Sequence, residues 1–417
     1  MITVRGGKPL RGELTVQSAK NSVLPVLAAT VISGDVCVIE HCPRLEDVDA
    51  SAAILRHLGC DVRWQGDDLL VDSSTMSRWD IPDDMMRRMR SSVIFLGAII
   101  SRCAQARLSY PGGCELGPRP IDLHLSALRT LGAQIDEQGA CLDCRQGAAM
   151  RGAEIVLSLP SVGATENAML AACTARGTTV ISNAAREPEI VDLQRFLRKI
   201  GAEVRGAGSS TVIVEGRRKF HGCRHRCIGD RIAAATYLSC AAATGGEVMV
   251  RGVDYRHLST VTMALQQAGC QIHSGEQGIY LRAPATLQGI CPIRTAPYPG
   301  FPTDAQAVVM ASLLRAKGST MFVENMFQSR YRHVAQLLRL GADIRLEGRV
   351  AVVCGVEKLR GGTVYCTDLR GGAALAVAAL QTEEETQIRQ IRHIQRGYED
   401  FSGTLRHLGA QIQEIGV

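Results

Sequence analysis

One pattern of apolar and polar positions recurs six times along the 417 residues. In each copy a leucine-containing helical turn leads to a glycine, two further residues and then Ile or Val, as in residues 128–135 (LRTLGAQI). The repeat glycines are Gly59, Gly132, Gly201, Gly269, Gly341 and Gly409, at intervals of 68 to 73 residues. A glycine can adopt the left-handed conformation that ends a helix, so each copy predicts a helix followed at once by a strand. Such a period over the whole chain is typical of a repeat architecture.

The third copy shows the repeat unit most clearly. Its pattern predicts a strand at 154–159, a helix buried on one face at 163–176, a strand at 177–183, an amphipathic helix at 189–200, and a hairpin of 202–205 with 211–215. The order βαβαββ takes about 70 residues, so six units fill the chain without a long linker. We therefore predict an α/β protein with two domains of three units each.

A second periodicity marks the start of the first helix in each unit. The residues at this phase are Lys20, Arg90, Gly163, Arg231, Asp304 and Arg370, which precede their repeat glycines by 37 to 42 residues. If the two domains face each other, six helix N-termini point into one cleft and form an anion site. Ordinary N-caps are the alternative, and they explain Ser and Asp at these positions. They do not explain four cations, which the helix dipole opposes there.

Composition narrows the class of ligand and partner. The formal charge is +6, from 47 basic and 41 acidic residues, and aromatic residues make up only 4% of the chain. This balance suits small anions better than nucleic acid. The start of the chain lacks signal-peptide character, and the longest apolar run, residues 93–100, is too short to cross a membrane. We expect a cytoplasmic protein with no nucleic-acid or membrane partner.

The fifteen cysteines are spread along the chain, and most, such as Cys173, Cys240 and Cys354, lie in apolar contexts typical of buried small hydrophobes. Two clusters raise a zinc hypothesis: Cys141-Leu-Asp-Cys144, and residues 221–227 (HGCRHRC). The first lies on a predicted hairpin and the second belongs to another repeat. No metal is therefore expected, with zinc as the open alternative.

Residues 110–120 (YPGGCELGPRP) are the stretch densest in glycine and proline, and they lead into a predicted helix at 122–131. Cys114 lies between glycines, five residues before Arg119. Glycines allow such a segment to close over a site, and a nearby arginine favours the thiolate. A structural turn with an incidental cysteine is the alternative, but a turn requires neither the thiol nor the arginine.

Several ordered motifs resemble those of the UDP-N-acetylglucosamine 1-carboxyvinyltransferases, enolpyruvyl transferases that open peptidoglycan synthesis. They are residues 19–21 (AKN), 111–114 (PGGC) with 117–120 (GPRP), 161–165 (SVGAT), 185–189 (AREPE), 301–304 (FPTD), 367–370 (TDLR) and 396–399 (RGYE). The resemblance covers essentially the whole chain. It implies an inside-out α/β barrel of two three-repeat domains with the active site in the cleft between them. One domain would span 20–229, and the other 1–19 plus 230–417.

The resemblance also implies a reaction without metal or organic cofactor. The enolpyruvyl group of phosphoenolpyruvate moves to the sugar 3-hydroxyl by addition and elimination, with release of phosphate. The implied catalytic residues are Cys114, Asp304 and Lys20. Cys114 would protonate the methylene carbon or form a covalent adduct, and Asp304 would take the hydroxyl proton, with Glu187 and Glu189 as the next candidates.

The implied binding residues fall into three sets. Phosphoenolpyruvate would contact Lys20, Asn21, Arg119, Arg330, Arg370 and Arg396. The UDP-sugar would contact Asn21, Arg90, Arg119, Pro120, Asp122, Leu123, Ser161, Val162, Gly163, Asp304 and Phe327. The supporting acidic residues are Glu187, Glu189, Asp230 and Asp368.

The chain departs from the family pattern at three places. Glu46 stands where relatives often carry Lys, Ser18 where a Gly usually precedes Ala-Lys-Asn, and Gly371-Gly372 where less flexible small residues occur. Two rival functions remain: 3-phosphoshikimate 1-carboxyvinyltransferase, which lacks the Gly-Gly-Cys and Ser-Val-Gly-Ala-Thr segments, and a non-catalytic UDP-sugar binder. A monomer is expected.

Overall fold

The computed structural model describes residues 1–110, 120–139, 141–146 and 149–415. These residues form two compact units. The C-terminal unit contains residues 1–17 and 229–415, and the N-terminal unit contains the described residues between 18 and 228. Each unit has its own hydrophobic core.

The helices are short to medium in length, and two 3-10 turns, Arg90–Ile94 and Tyr255–Leu258, precede α4 and α9. The helices are α1 (Lys20–Ser33), α2 (Glu46–His57), α3 (Asp83–Arg88), α4 (Phe95–Cys103), α5 (Asp122–Thr130), α6 (Val162–Ala172), α7 (Pro188–Lys199), α8 (Arg231–Ala243), α9 (Ser259–Gln267), α10 (Thr303–Ser312), α11 (Val334–Arg339), α12 (Leu369–Ala379), α13 (Arg392–Gln395) and α14 (Phe401–His407).

The strands are two to six residues long. They are β1 (Ile2–Arg5), β2 (Arg11–Thr15), β3 (Val36–Glu40), β4 (Asp61–Gln65), β5 (Asp68–Asp72), β6 (Asp80–Ile81), β7 (Gln105–Ser109), β8 (Ala133–Gln138), β9 (Cys141–Gln146), β10 (Glu154–Val156), β11 (Thr178–Ser182), β12 (Glu203–Arg205), β13 (Thr211–Glu215), β14 (Arg224–Arg226), β15 (Glu247–Arg251), β16 (Gln271–Gly275), β17 (Gly278–Arg282), β18 (Ile293–Arg294), β19 (Ser319–Val323), β20 (Asp343–Glu347), β21 (Val350–Cys354), β22 (Gly362–Tyr365), β23 (Thr386–Arg389) and β24 (Gln411–Glu414).

The predicted repeat is confirmed in the third copy, which runs β10, α6, β11, α7, β12, β13. Its strands form one sheet in the order β10-β11-β13-β12, with a parallel first pair and two antiparallel pairs. The other described sheets repeat this scheme: β14-β3-β5-β4, β6-β7-β9-β8, β2-β15-β17-β16, β18-β19-β21-β20 and β22-β23-β1-β24.

Three of these sheets take a strand from a distant part of the chain. β2 pairs in parallel with β15, and β14 pairs in parallel with β3, so the first and fourth repeats exchange their first strands. β1 pairs with β23 and β24 and supplies the strand that the sixth repeat lacks at its end. These exchanges place residues 11–15 with the C-terminal unit and residues 224–226 with the N-terminal unit.

The first helix of each repeat lies in the middle of its unit. α1, α4 and α6 pack together in the N-terminal unit, and α8, α10 and α12 pack together in the C-terminal unit. The prediction that the third-copy helix is buried on one face was wrong. Every residue of α6 from Ala164 to Ala172 is buried, because neighbouring helices and sheets cover the helix on all sides.

The six repeat glycines all adopt the predicted left-handed conformation, with φ between 87° and 103°. In the first copy the Gly59 amide donates to the Arg56 carbonyl at 3.0 Å, and the Cys60 amide donates to the Leu55 carbonyl at 3.0 Å. This pair of bonds is the Schellman motif, which satisfies the last carbonyls of a helix and redirects the chain into a strand. The glycines therefore fix the helix-to-strand turn in every repeat.

Of the helices that the structure describes, none combines the length and the apolar character that crossing a bilayer requires.

Candidate active site

In the C-terminal unit each of the three central helices has an acidic residue at its start. Asp230 precedes α8, and its carboxylate accepts hydrogen bonds from the Ile232 and Ala233 amides at 2.9 and 3.0 Å. Asp368 precedes α12 and caps it in the same way, accepting from the Arg370 and Gly371 amides at 3.0 Å. These two residues are ordinary N-caps, as expected from the alternative to the anion-site interpretation of the helix starts.

Asp304 has a different role in the first turn of α10. Its Oδ1 atom lies 2.6 Å from Arg330 NH2, and its Oδ2 atom lies 3.2 Å from Arg370 NH2. Both guanidinium side chains are buried, at 2% and 4% exposure, whereas the Asp304 side chain is 30% exposed. The structure therefore joins three of the predicted site residues into one cluster, with the carboxylate on its accessible side.

Backbone and hydroxyl groups hold the two arginines in place. Arg330 Nε and NH2 donate to the Thr303 carbonyl at 3.1 and 2.9 Å. Arg370 NH1 contacts the Tyr398 hydroxyl at 3.4 Å, and that hydroxyl is 2.8 Å from Thr236 Oγ1. Burial opposes the charge on Arg370, but Asp304 and Tyr398 outweigh burial, and the pKa of this guanidinium is raised. Arg370 is thus a permanent cation within the protein interior.

The acidic cap of α12 is adjacent to the same cluster. Burial works against ionisation of Asp368, yet Arg330 and the Gly371 amide overcome it and lower the pKa of Asp368. His333 is fully buried, and burial lowers its pKa to about 4, with Arg330 adding to the effect. The imidazole is therefore neutral at physiological pH and leaves the positive charge of this region to the arginines.

Phe327 lies next to Arg330, whose guanidinium carbon is 5.9 Å from the ring centroid. The backbone here is held by Glu324, which accepts from the Met326 and Phe327 amides at 2.8 and 3.0 Å and from Thr303 Oγ1 at 3.0 Å. Glu324 is fully buried, so it fixes Phe327 relative to the first turn of α10. Arg396, half-buried, immediately follows α13 in the same unit.

In the N-terminal unit Lys20 is the first residue of α1. Its Nζ atom lies 3.0 Å from Asp47 Oδ2 in the first turn of α2, and the two side chains are 13% and 4% exposed. A lysine at a helix N-terminus is opposed by the dipole, and Asp47 compensates for this. The pairing keeps a nearly buried ammonium at the predicted position, which the N-cap alternative does not explain.

The start of α6 offers neutral donors. Ser161 Oγ accepts from the Ala164 amide at 3.4 Å, and Gly163 is the second residue of the helix. The His124 ring packs against Gly163 so closely that an added Cβ would lie 2.8 Å from its Cε1 atom. Asn167 holds this ring through His124 Nδ1 at 2.7 Å. Because residue 163 is a glycine, it has no side chain that could cover the first backbone N–H groups of α6.

His124 is neutral for the same reason as His333. Burial lowers its pKa to about 4, and the charge of Arg90 contributes in the same direction. Arg90, half-buried, opens the 3-10 turn that leads into α4. This end of the N-terminal unit therefore combines one arginine with a neutral imidazole and free helix amides.

A group of acidic residues surrounds α6. Glu166 is buried on that helix, and its pKa is raised well above the usual range by burial, with Glu189 and Glu187 adding to the effect. Glu189 is buried in the first turn of α7, and Glu187 precedes that helix. The supporting acids Glu187 and Glu189 thus lie near a third carboxyl that the sequence patterns did not single out.

The remaining predicted residues are more exposed. Asn21 follows Lys20 on α1, Asp122 and Leu123 open α5 directly after Pro120, and Val162 opens α6. Asn21, Pro120 and Asp122 are exposed, and Leu123 and Val162 are half-buried. Cys114 and Arg119 lie outside the described residues.

Comparison with known proteins places this geometry in a family. A family model described as EPSP synthase (3-phosphoshikimate 1-carboxyvinyltransferase) matches residues 4–405. The chain belongs to this enolpyruvyl transferase family. It is similar to UDP-N-acetylglucosamine 1-carboxyvinyltransferase 2 of Caldanaerobacter subterraneus, with 47% identity over 99% of both chains.

Solved structures of two other enolpyruvyl transferases share the fold. The enolpyruvyl transferase NikO from Streptomyces tendae superposes with a TM-score of 0.89 at 25% identity, covering 99% of this chain and 98% of its own. An EPSP synthase from Acinetobacter baumannii superposes with a TM-score of 0.73 at 17% identity over 99% of each chain. The predicted enolpyruvyl transferase fold is confirmed.

The departures from the family pattern have local explanations. Ser18 is buried, and its hydroxyl donates to the His41 carbonyl at 3.1 Å. Glu46 is the first residue of α2, where the helix dipole favours a carboxylate. A Cβ at Gly371 would lie 2.8 Å from Asp368, and one at Gly372 would lie 2.8 Å from Cys366 Sγ. The two glycines are therefore required by the packing of the surrounding side chains.

The first zinc hypothesis fails for this enolpyruvyl transferase. Cys141 and Cys144 both lie on β9, as predicted for a hairpin, but residues three apart on a strand point to opposite faces. Cys144 is buried and Cys141 is half-buried, so the pair cannot chelate one ion. Cys173 and Cys240 are fully buried, as predicted, whereas Cys354 is only partly buried.

Several residues of the site were missed by the sequence analysis. They are Asp47, His124, Glu166, Asn167, Thr236, His333 and Tyr398. All are polar residues at buried positions of helices or loops. Tyr398 alone lies within one of the motifs that carry the family resemblance, residues 396–399. Its position between Arg396 and Glu399 could have marked it as a site residue.

Proposed function

We propose that this chain transfers the enolpyruvyl group of phosphoenolpyruvate to the 3-hydroxyl of UDP-N-acetylglucosamine and releases phosphate. The observation that carries the proposal is the position of Asp304, an accessible carboxylate held between the buried guanidinium groups of Arg330 and Arg370. This places a proton acceptor beside a site for an anion. The name of the 47% identical relative supports the choice of acceptor sugar.

Arg330 and Arg370 bind the carboxylate of phosphoenolpyruvate. Both are buried and held by groups that do not need to move, so a planar carboxylate can be bound by fork-like hydrogen bonds. Without substrate, Asp304 pairs with both arginines and offsets part of their positive charge. When the substrate carboxylate takes this position, Asp304 is released toward the sugar hydroxyl.

The phosphate is bound by Lys20, Arg119 and Arg396. Lys20 is suited to this role because it is an ammonium with little exposure at a helix N-terminus. Asn21, exposed on the next position of α1, contacts both substrates. The phosphate keeps its negative charge when the bond to carbon breaks, so these cations also stabilise the leaving group.

The reaction proceeds in two balanced steps. In the addition, the methylene carbon of phosphoenolpyruvate gains a proton, the sugar oxygen bonds to the adjacent carbon, and Asp304 takes the hydroxyl proton. In the elimination, the carbon–oxygen bond to phosphate breaks, phosphate leaves, and the methyl carbon returns a proton to the group that donated it in the addition. Cys114 is the proposed acid of the first step, or it forms an adduct with the activated carbon. Glu187 and Glu189 are the alternatives to Asp304 as base.

The UDP-sugar is bound largely by residues of the N-terminal unit. Val162 and Gly163 supply the first amides of α6, which suit a diphosphate, and Ser161 caps the same helix end. The other contacts proposed there are Arg90, Arg119, Pro120, Asp122 and Leu123, with Phe327 and Asp304 from the C-terminal unit. Asp230 and Asp368 support these contacts by capping α8 and α12.

The functional domains are proposed to span residues 20–229 and residues 1–19 plus 230–417. The protein would work as a cytoplasmic monomer on small-molecule substrates, without nucleic acid, membrane, metal or organic cofactor in the reaction. Its product would enter peptidoglycan synthesis.

Phosphate release tests the proposal directly. Purified protein is incubated with phosphoenolpyruvate and either UDP-N-acetylglucosamine or shikimate 3-phosphate. Release with the UDP-sugar alone is expected. Release with shikimate 3-phosphate alone would indicate the rival acceptor, and UDP-sugar binding without phosphate release would indicate a non-catalytic binder.

A second experiment tests Cys114. The epoxide phosphonate fosfomycin mimics phosphoenolpyruvate and should alkylate this thiol, faster with the UDP-sugar present. Peptide mass mapping should locate the adduct at Cys114, and Cys114→Ser should abolish it. Labelling spread over the fifteen cysteines would contradict the assignment.

A further inference from the structure

The second cysteine and histidine cluster, residues 221–227, takes no part in the proposed reaction, but its residues are of the types that bind metal ions. Its central part is β14, which pairs in parallel with β3, with Arg224 opposite Val38. Alternate residues of a strand share a face, and His225 is buried while Arg224 and Arg226 are exposed. Cys227 follows two residues after His225 and is 4% exposed. Imidazole and thiol therefore both enter the core of the N-terminal unit.

A carboxylate from α7 meets them there. Ligand atoms of Asp192, His225 and Cys227 all lie within 4.8 Å of one another, and no other such group of three occurs among the described residues. His225 Nε2 lies 3.2 Å from Asp192 Oδ1, and the two side chains are 3% and 1% exposed. The Cys227 thiol contacts Asp192 and Ser22.

The bonding of this cluster is incomplete. Asp192 Oδ2 accepts from Ser22 Oγ at 2.5 Å and from the Ile228 amide at 3.2 Å, so this oxygen is satisfied. Within the described residues, neither ring nitrogen of His225 has a hydrogen-bond partner of good geometry, although Nε2 is close to Oδ1. A buried polar group without a partner is costly and calls for an explanation. A metal ion bonded to both Nε2 and Oδ1 supplies one.

We propose that Asp192, His225 and Cys227 form a buried structural site for a thiophilic divalent ion, with Zn²⁺ as the natural occupant. The donor set of one imidazole, one carboxylate and one thiolate is typical of zinc. The carboxylate and the thiolate together balance the two positive charges, so the loaded site is neutral in a low-dielectric interior. Binding bonds the ion to the Cys227 sulfur, and the thiol proton leaves to solvent.

The site differs from a catalytic one in its surroundings. Phe196 packs edge-on against the His225 ring with centroids 5.5 Å apart, and apolar residues of the N-terminal core enclose the cluster. Cys42, a second buried thiol of the same unit, lies outside this group of three ligand atoms. Because its three ligands are all buried, this site would stabilise the fold and would not meet a substrate. Since the donors are buried, the ion would bind as the chain folds.

Refolding with a spectroscopic probe tests the site. The full chain is unfolded with a chelator and reductant, then refolded with a slight excess of Co²⁺, and excess ion is removed by gel filtration. Equimolar retained Co²⁺ is expected, with a sulfur-to-cobalt charge-transfer band and the d–d bands of tetrahedral coordination. Zn²⁺ should displace Co²⁺ and bleach both features, and refolding with Zn²⁺ should raise the thermal midpoint above that of the metal-free chain.

Matched variants identify the ligands. Cys227→Val keeps an apolar side chain of similar size and should fold while losing the charge-transfer band and the stoichiometric metal. His225→Gln should lose the metal as well. Cys144→Val, a buried cysteine of the same unit outside the cluster, should keep both. Cys42→Val, which removes a buried thiol outside the group of three, should also keep the metal and the band.

Three outcomes would overturn the proposal. One is a refolded wild-type chain that retains no metal. Another is Cys227→Val with undiminished metal. The third is loss of the band in Cys223→Ser but not in Cys227→Val, which would assign binding to the neighbouring Cys37–Cys223 pair instead.

Discussion

The two units share one architecture but differ in the chemistry at the starts of their central helices. In the C-terminal unit, α10 and α12 begin beside buried charges, with Asp304 held between Arg330 and Arg370. In the N-terminal unit, α6 begins with a serine cap, Gly163 and the neutral His124 ring. The C-terminal unit joins its charges into one cluster, whereas the N-terminal unit has Lys20 and Arg90 at two helix starts and backbone amides at the third.

This difference separates what the fold supplies from what the side chains add. The repeated backbone supplies a helix N-terminus in every repeat, with N–H groups that have no partner within the helix and a partial positive charge. A diphosphate can use these amides directly, so small residues such as Gly163 suffice. A reacting carboxylate needs localised charge and defined geometry, so the C-terminal unit adds buried guanidinium groups.

The largest effect is expected at Asp304. Asp304→Ala and Asp304→Asn should each lower kcat about 10² to 10⁴-fold, which is the usual contribution of a general base. Neither variant should raise the KM for phosphoenolpyruvate, because removing the carboxylate frees Arg330 and Arg370 for the substrate. Steady-state phosphate release with both substrates varied measures these quantities.

Two controls make the Asp304 result interpretable. The thermal midpoint should be recorded, because Asp304 pairs with two buried arginines and its loss destabilises the empty protein. Asp304→Asn with near-normal kcat, together with weakened UDP-sugar binding by Asp304→Ala, would show that the residue only positions the sugar. Glu187 and Glu189 would then be tested as the base.

A smaller effect is expected for the arginines themselves. Arg370→Lys keeps the charge but cannot contact both Asp304 and Tyr398 as the guanidinium does. Loss of one charged hydrogen bond is worth about 1.5–3 kcal/mol, so the KM for phosphoenolpyruvate should rise about tenfold to a hundredfold. The dissociation constant of the UDP-sugar, measured by calorimetry, should not change.

Arg315→Lys is the matched control in the same unit. Arg315 also makes forked contacts, to the Glu357 and Gln381 carbonyls, but it lies beyond the C-terminal end of α10. Its substitution should leave both KM values unchanged. An equal effect from both variants would mean that losing any arginine with two hydrogen bonds weakens the unit. The proposed difference between the units would then not be supported.

The sequence predicted the repeat because its signals are local. Each repeat glycine has to adopt positive φ where a helix turns into a strand, and this requirement is visible in a few residues. The exchange of β2 and β14 between the first and fourth repeats is not local, since the same residues are strands whichever partner they choose. Apolar alternation therefore identifies the strands and leaves their pairing open.

The site was predictable to a smaller extent. Asp304 and Arg370 were found because they share one phase of the repeat, and Arg330 was found only through family resemblance. His124, Glu166 and Asn167 were missed because a polar residue on a helix is usually exposed. They are buried here because α5 and α6 pack against each other inside the unit. No repeating pattern in the sequence predicts that contact.

The two neutral histidines offer a comparison of the units by pH. In both His124 and His333 the folded pKa is about 4, against about 6.5 in the unfolded chain. Between these values the unfolded chain binds protons that the folded chain does not, so stability falls as pH decreases. Each histidine should remove about 2 kcal/mol between pH 7 and pH 5.

Urea unfolding at the two pH values measures this loss. His124→Gln and His333→Gln should each reduce the pH dependence by about that amount and together reduce it additively. His221→Gln is the control, because the His221 side chain is exposed. A pH dependence unchanged in both buried-site variants would show that other groups govern acid stability.

The smallest effect is expected at Gly163, where the N-terminal unit relies on its backbone. In Gly163→Ala the new Cβ would lie 2.8 Å from Cε1 and 3.2 Å from Nε2 of His124, a ring that Asn167 holds in place. Either the ring or the first turn of α6 has to shift by a few tenths of an ångström. The amides would then meet the diphosphate less well, and the dissociation constant of the UDP-sugar should rise about tenfold, the loss of roughly one hydrogen bond. Calorimetric titration checks this, and the KM for phosphoenolpyruvate should stay constant.

Adding His124→Ala removes the clash and should restore most of the affinity. If affinity stays low in the double variant, the ring itself contributes to binding, and the N-terminal unit uses side chains as the C-terminal unit does.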